Sequence, residues 1–416
     1  MKKLIIAFIS LISLSVFSQK TVELFDSKKL GEEREITISL PKSYAKETKR
    51  NYPLLVLLDG DYLYAPFQGA ITYANYWDDI PELIIVAITQ NKKEERYDDC
   101  QWDDETGLPL EKGINFFEFI GTELIPYVEK NYRVAPFKII AGHDTTAGFS
   151  NLYLYKEDPL FDAYISLSPD LPPQMEKRLP ERMAQITKPI YYYQSSADGD
   201  IKRLLKGVKS LDEGLKTINK TSFNYKFDEF IGSSHYSLVL HSIPSALYHI
   251  FAVYQPITSL EFQKIAALES GYVQYLIDKY ETIEKAFNTK IPVRMSDFKA
   301  IEAAIVKNKA YPELQDLSKY AEKHYPKTTL SVYHQALYFE KMGEFKKAIK
   351  TYNSAFTKEA IRELSKDYML NRAEKLKNKE DKSITEEYSD PEVQYDENGN
   401  VIEPTTEESE KKEDEE

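Results

Sequence analysis

The sequence predicts an α/β domain on a central, mostly parallel sheet, followed by a helical domain and an acidic tail. Three observations carry this reading. From Thr21 to about Thr258, short strand-like runs alternate with amphipathic stretches. After Pro256 the spacing becomes helical with few strand signals. From about Glu380 the chain is acidic and low in complexity, which predicts disorder. Hydrophobic residues form 42% of the 416 positions and aromatics 13%, enough for proper cores.

Taken in order, Met1–Ser18 carries Lys2 and Lys3 ahead of an apolar run too short and too early for a comfortable membrane span. It reads as a signal peptide cut before Gln19, with an uncleaved anchor as the alternative, so export to the periplasm or cell surface is expected. A single cysteine, Cys100, excludes an intramolecular disulfide. Strands are expected at Arg34–Leu40, Leu54–Leu58, Leu83–Thr89, Lys138–Ala141, Ala163–Leu167, Pro189–Gln194 and Phe223–Phe227. Several are continuous apolar runs, as strands covered on both faces must be. Phe116–Tyr132 places Phe116, Phe119, Ile120, Leu124 and Val128 on one helical face.

The domains are therefore expected at 19–258 (α/β) and 259–379 (helical), with a tail over 380–416. Within Thr329–Thr357, the small and aromatic residues from Ala336 to Ala355 match one tetratricopeptide-type helix pair, although an ordinary helical hairpin fits the same spacing. Thr385–Glu416 holds 14 acidic residues and two lysines, so most of the formal charge of −13 belongs to the tail. Asn398–Gly399 within it is a candidate hairpin turn. No basic patch suggests nucleic-acid binding. The tail serves either as a solubilising extension or as a docking segment for a basic partner.

The chemistry concentrates at Lys138–Gly148, KIIAGHDTTAG: a buried strand, a sharp turn and a helix. That is the layout of a nucleophile elbow, whose strained turn lifts one side chain above the sheet in the pattern G-x-S-x-G. Here Asp144 stands at the nucleophile position and Thr146 at the second glycine. Asp144 as a simple cap for the following helix is the plainer reading. His143, His241, His249, His324 and His334 lack metal-ligand spacing, and neither a metal nor a cofactor is expected. Asp98, Asp99 and Trp102 are expected in a solvated loop at the rim of the site.

Over roughly Thr21–Thr258 the chain resembles the esterase D/enterochelin-esterase-like family of α/β-hydrolases. The resemblance is carried by LLVLLDGD (Leu54–Asp61), IIVAITQNKKEERYDD (Ile84–Asp99), ELIPYVEKNYRV (Glu123–Val134), LFDAYISLSPDL (Leu160–Leu171) and SHYSLVLHSIPSAL (Ser234–Leu247). The helical part resembles C-terminal extensions of some Bacteroidetes-type members. The resemblance implies an α/β-hydrolase fold with His235 as base and Asp198 as the orienting acid, Asp200 being the alternative. It also implies an oxyanion hole from the backbone of Gly60, Asp61 and Thr145.

This sequence departs from the family at serine, replaced by Asp144, and at Gly-Gly, replaced by Thr146-Ala147. A carboxylate attacking an ester would form an anhydride, and its charge would oppose the oxyanion. The expectation is a catalytically impaired esterase-like module that binds a protein partner or a small ester-like ligand at the cell envelope. Two active alternatives stand beside it. Gly142-His143-Asp144 also resembles haloalkane dehalogenases and epoxide hydrolases, which use aspartate against saturated carbon, but Ser168–Lys188 is too short for their helical cap. Thr145 as nucleophile is disfavoured because an elbow presents one side chain.

Overall fold

The computed structural model describes residues 20–287 and 290–381. The signal peptide expected at Met1–Ser18 lies outside these residues, as does nearly all of the acidic tail and its Asn398–Gly399 turn. The chain divides into two compact units between Ala252 and Val253.

The first unit is built on eight strands: β1 (Lys20–Ser27), β2 (Glu32–Ser39), β3 (Tyr52–Leu57), β4 (Ile84–Ile88), β5 (Val134–His143), β6 (Ala163–Leu167), β7 (Ile190–Gly199) and β8 (Phe223–Ser234). Their order across the sheet is β1-β2-β4-β3-β5-β6-β7-β8. β1 and β2 run antiparallel, and β2 meets β4 antiparallel. Every pairing from β4 to β8 is parallel. The inner strands are the apolar runs of the sequence, and β3, β4 and β6 are buried at every position. Burying such strands on both faces requires helices on both sides of the sheet.

Among the described residues eight α-helices serve this unit: α1 (Gly60–Tyr76), α2 (Glu95–Asp99), α3 (Glu111–Glu118), α4 (Ile125–Asn131), α5 (Thr145–Ser150), α6 (Met175–Gln185), α7 (Lys202–Leu215) and α8 (Leu238–Ile250). The single helix expected over Phe116–Tyr132 is instead α3 and α4 joined by a π-helical turn, Phe119–Leu124. Its apolar face survives this wider winding, because Phe116, Phe119, Ile120, Leu124 and Val128 are all fully buried. β1 was not expected. It reads KTVELFDS, with Val22 and Leu24 separated by Glu23 and more than half exposed, so it shows no continuous apolar run.

The second unit is helical: α9 (Ser259–Ala266), α10 (Tyr272–Phe287), α11 (Met295–Lys307), α12 (Glu313–His324), α13 (Thr329–Lys341), α14 (Phe345–Ser354) and α15 (Lys366–Asp381). α12 packs on α13, α13 on α14, and α14 on α15. The helix pair expected within Thr329–Thr357 is α13 and α14, and Ala336, Ala348 and Tyr352 are buried in it. Buried Asp297 accepts hydrogen bonds from the Ile257 N–H at 2.9 Å and the Tyr280 hydroxyl at 2.8 Å, which ties α10 and α11 to the chain entering the unit. No described helix is long and apolar enough to cross a membrane.

Candidate active site

Parallel strands end together, so the turns after β3, β5, β6, β7 and β8 gather on one crest of the sheet. At its centre β5 passes through Asp144 into α5. Asp144 has φ 59° and ψ −121°, a conformation that residues other than glycine rarely adopt and that marks a nucleophile elbow. The turn is held by the Asp144 N–H donating to the Leu167 carbonyl at 2.9 Å and the Asp170 N–H donating to the Asp144 carbonyl at 3.0 Å.

Two glycines make this turn possible. A Cβ on Gly142 would lie 2.7 Å from the Thr146 carbonyl carbon, and one on Gly148 would lie 1.7 Å from the Asp170 carbonyl oxygen. The second close approach therefore falls at Gly148, and the Cβ atoms of Thr146 and Ala147 fit with both residues fully buried. Thr146 has a part of its own in the turn: its hydroxyl accepts from the His143 N–H at 3.0 Å and donates to Asp59. Threonine thus braces the elbow from beneath.

Asp144 does not behave as expected on two counts. It occupies the cap position of α5, yet its side chain makes no capping hydrogen bond. Nor is it joined to His235: among the described residues neither a hydrogen bond nor an ion pair links the two. Its partner is Arg96, whose Nη2 stands 3.5 Å from Oδ2. Arg96 is fixed from below, because Nε donates to Asp59 at 2.6 Å and Nη2 to the His143 carbonyl at 2.8 Å.

Asp59 is completely buried. Burial pushes its carboxyl above the usual range, outweighing Arg96, the Thr146 hydroxyl and the Tyr62 hydroxyl, which favour the anion. Asp59 adopts a left-handed conformation, φ 53° and ψ 42°, at the start of α1, one that aspartate tolerates better than most residues. Gly60 and Asp61, expected at the oxyanion hole, form the first turn of α1, and Thr145 that of α5. Opening N–H groups have no carbonyl within their own helix to meet. The Asp61 carboxylate turns away, accepting from the Gln90 N–H at 2.8 Å and the Asn91 side-chain amide at 3.1 Å.

Across the crest, His235 Nδ1 lies 2.7 Å from Asp200 Oδ1. The carboxylate beside His235 is therefore that of Asp200, the alternative, and the expected Asp198 does not meet the imidazole. β7 extends to Gly199, with a register break between Ala197 and Gly199, so Asp198 still belongs to the strand. Its carboxylate accepts from the Gly232 N–H of neighbouring β8 at 2.8 Å. Asp200 is the first residue past the strand end, where the chain turns over the crest. Burial raises the Asp200 carboxyl, but hydrogen bonds from His235, the Ser168 hydroxyl and the Ile201 N–H together hold it below the usual carboxylate range.

Ser168 was not foreseen. It is fully buried, has φ 41°, and donates its hydroxyl to Asp200 Oδ2 at 2.7 Å while lying 3.2 Å from His235 Nδ1. This hydroxyl braces the acid side of the imidazole and leaves Nε2 untouched.

His143 joins the two halves. Its Nε2 donates to the His235 carbonyl at 3.1 Å, because a carbonyl can only accept, so Nδ1 is left to face the Tyr62 hydroxyl at 3.0 Å. Burial, with help from the nearby His235, pulls its pKa down to about 3, so the ring is neutral at physiological pH. The rim also differs from expectation. Asp98 is half-buried, and Asp99 is buried and accepts from Arg34 Nη2 at 3.1 Å and Gln90 Nε2 at 3.0 Å. Among the described residues no group of three or more His, Cys, Asp or Glu side chains is arranged to hold a metal ion. An open groove of about 650 Å³ along α1, lined by Tyr64, Tyr73 and Tyr76 among others, shares no residue with the crest.

An eight-stranded sheet in this order, with an elbow after β5, a histidine after β8 and an acid after β7, defines an α/β-hydrolase. Residues 27–233 match the family described as Putative esterase, and the chain belongs to that family. A crystal structure of an uncharacterised protein from Capnocytophaga ochracea is 30% identical, with a TM-score of 0.77, covering 86% of this chain and 100% of that one. An IroE-like serine hydrolase from Shewanella oneidensis, 19% identical with a TM-score of 0.54, shares the fold over 70% of this chain and 96% of its own. No curated protein matches the chain.

Proposed function

We propose that this protein is an exported esterase-family domain that has lost acyl transfer and works as a binding module at the cell envelope. The observation that carries the reading is the state of the elbow. A serine there would hand its proton to histidine and form an ordinary ester intermediate. Asp144 has no proton to give, leans on Arg96 and is not engaged by His235. Its charge also opposes the oxyanion that the opening turns of α1 and α5 would otherwise stabilise. The basic, apolar opening of the sequence supports export, and the acidic tail supports an extended solubilising or docking segment.

The test is hydrolysis of p-nitrophenyl acetate and butyrate by the native protein and by Asp144→Ser. The expected result is background turnover by the native protein. Robust native turnover that His235→Ala abolishes would sink the reading.

A second reading draws on the intact His235–Asp200 pair. In it, Asp144 displaces a leaving group at saturated carbon, and His235 activates water to release the resulting ester. Turnover of haloalkanes or epoxides, with ¹⁸O from water entering the Asp144 carboxylate, would select it.

A further inference from the structure

We propose that the crest binds a primary ammonium group, seated between the Asp144 carboxylate and His235 Nε2. This rests on the reading that the site binds ligands without turning over esters, and it names what kind of ligand that is.

Consider first what each group still lacks. Asp144 is about a quarter exposed, and only Oδ2 approaches Arg96, at 3.5 Å. A charge-assisted bond of full strength is nearer 2.7–2.9 Å. Arg96 is stretched because its donors already serve Asp59 and the His143 carbonyl. Among the described residues Oδ1 has no hydrogen-bond partner.

His235 is 5% exposed. The Asp200 carboxylate is an acceptor, so the proton of the neutral ring sits on Nδ1, 2.7 Å away. Nε2 is then a bare acceptor, again without a partner among the described residues. The His235 ring stands 4.5 Å from the ring of His143, the residue next to Asp144. The crest therefore presents two acceptors, one of them anionic. In a working esterase this position would hold a hydroxyl that supplies its own proton to the histidine.

The surroundings favour a cation. Asp59 and Asp144 share one guanidinium, that of Arg96, Asp200 is paired with His235, and Arg203, whose charge also reaches Asp144, is matched by Asp170. Two tyrosines flank the position. Tyr236, mostly exposed, meets the His235 ring edge-on at 5.1 Å, and Tyr62 meets that of His143 at 5.9 Å. Aromatic rings beside a carboxylate attract ammonium groups through the ring quadrupole as well as through charge. A carboxylate ligand would be repelled by Asp144, and an alcohol would supply only one proton and no charge.

The test uses the full-length native protein at pH 7.5 and three probes of one shape: benzylamine, benzyl alcohol and benzoate. Binding is followed by NMR titration of the histidine side chains. The expected order is benzylamine tighter than benzyl alcohol by about 10-fold or more, with benzoate weakest. Asp144→Asn should remove that preference while Arg203→Met keeps it. Asp144→Ser is the second variant should the asparagine form fail to fold. A phenylalanine amide, with and without N-acetylation, distinguishes a peptide N-terminus from a small free amine. Equal affinity for amine and alcohol, or a folded Asp144→Asn that still prefers the amine, overturns the proposal. That failure is separate from ester turnover by the native protein, which would instead remove the binding-module reading beneath it.

Discussion

On the β7–β8 side of the crest, His235, Asp200 and Ser168 lie within 3.2 Å of one another and are almost closed to water. Across the elbow, Asp144 stands partly in solvent and is held by one long contact to Arg96. The first region has what a histidine needs to act as base. The second has a carboxylate where that base would look for a hydroxyl. The contrast teaches that an acid–base pair can keep its geometry through its own buried hydrogen bonds, whatever stands opposite it.

The largest effect expected from breaking this contrast is chemical. Asp144→Ser should raise kcat/KM for p-nitrophenyl acetate by about 10³-fold over the native protein, within the range that separates complete from broken triads. If steady-state assays show no gain in a folded variant, the histidine half is not poised as its contacts suggest.

Next in size is stability. Arg96→Met leaves Asp59 buried beside no cation and should cost about 3 kcal/mol in urea unfolding at pH 7. The loss should shrink in acid, where Asp59, already pushed up by burial, takes a proton. Arg203→Met, where the guanidinium lies largely in solvent although Asp170 is buried, should cost less, about 1 kcal/mol. Equal losses would mean that the Arg96 network contributes no more than a surface contact.

A pH dependence follows from His143. The ring stays neutral in the fold down to about pH 3, whereas in the unfolded chain it takes a proton below about 6.5. Its contribution is complete above that value and is lost as pH falls toward 3. Native unfolding free energy should therefore fall more steeply with acid than that of His143→Gln, by up to about 1.4 kcal/mol per pH unit. Parallel curves between pH 6 and 4 would contradict the assignment.

The smallest effect sharpens the choice of acid. In ¹⁵N NMR the His235 Nδ1 signal should move in Asp200→Asn and stay in place in Asp198→Asn. The reverse pattern would return the orienting role to Asp198.

Much of the architecture was legible in the sequence because buried parallel strands announce themselves as apolar runs. Ala163–Leu167 falls where it was expected, and the elbow is visible in KIIAGHD. Edge strand β1 escaped because polar and charged residues interrupt its apolar ones. Asp198 and Asp200 stand only two residues apart in the sequence, and the extra length of β7 that decides between them depends on its pairing with β8. Ser168 and Asp59 carry no motif of their own, since their roles come from strands that converge only in space. Arg96 sat inside Ile84–Asp99, one of the segments that carry the family resemblance. What hid its importance was the long reach of guanidinium across to a different strand end.

The hydrogen bond from His143 to the His235 carbonyl has one more consequence. It rivets the loop after β8 to the strand that bears the elbow, and through Tyr62 to the opening of α1. The three segments that border the site are thereby fastened to one another through a single buried imidazole.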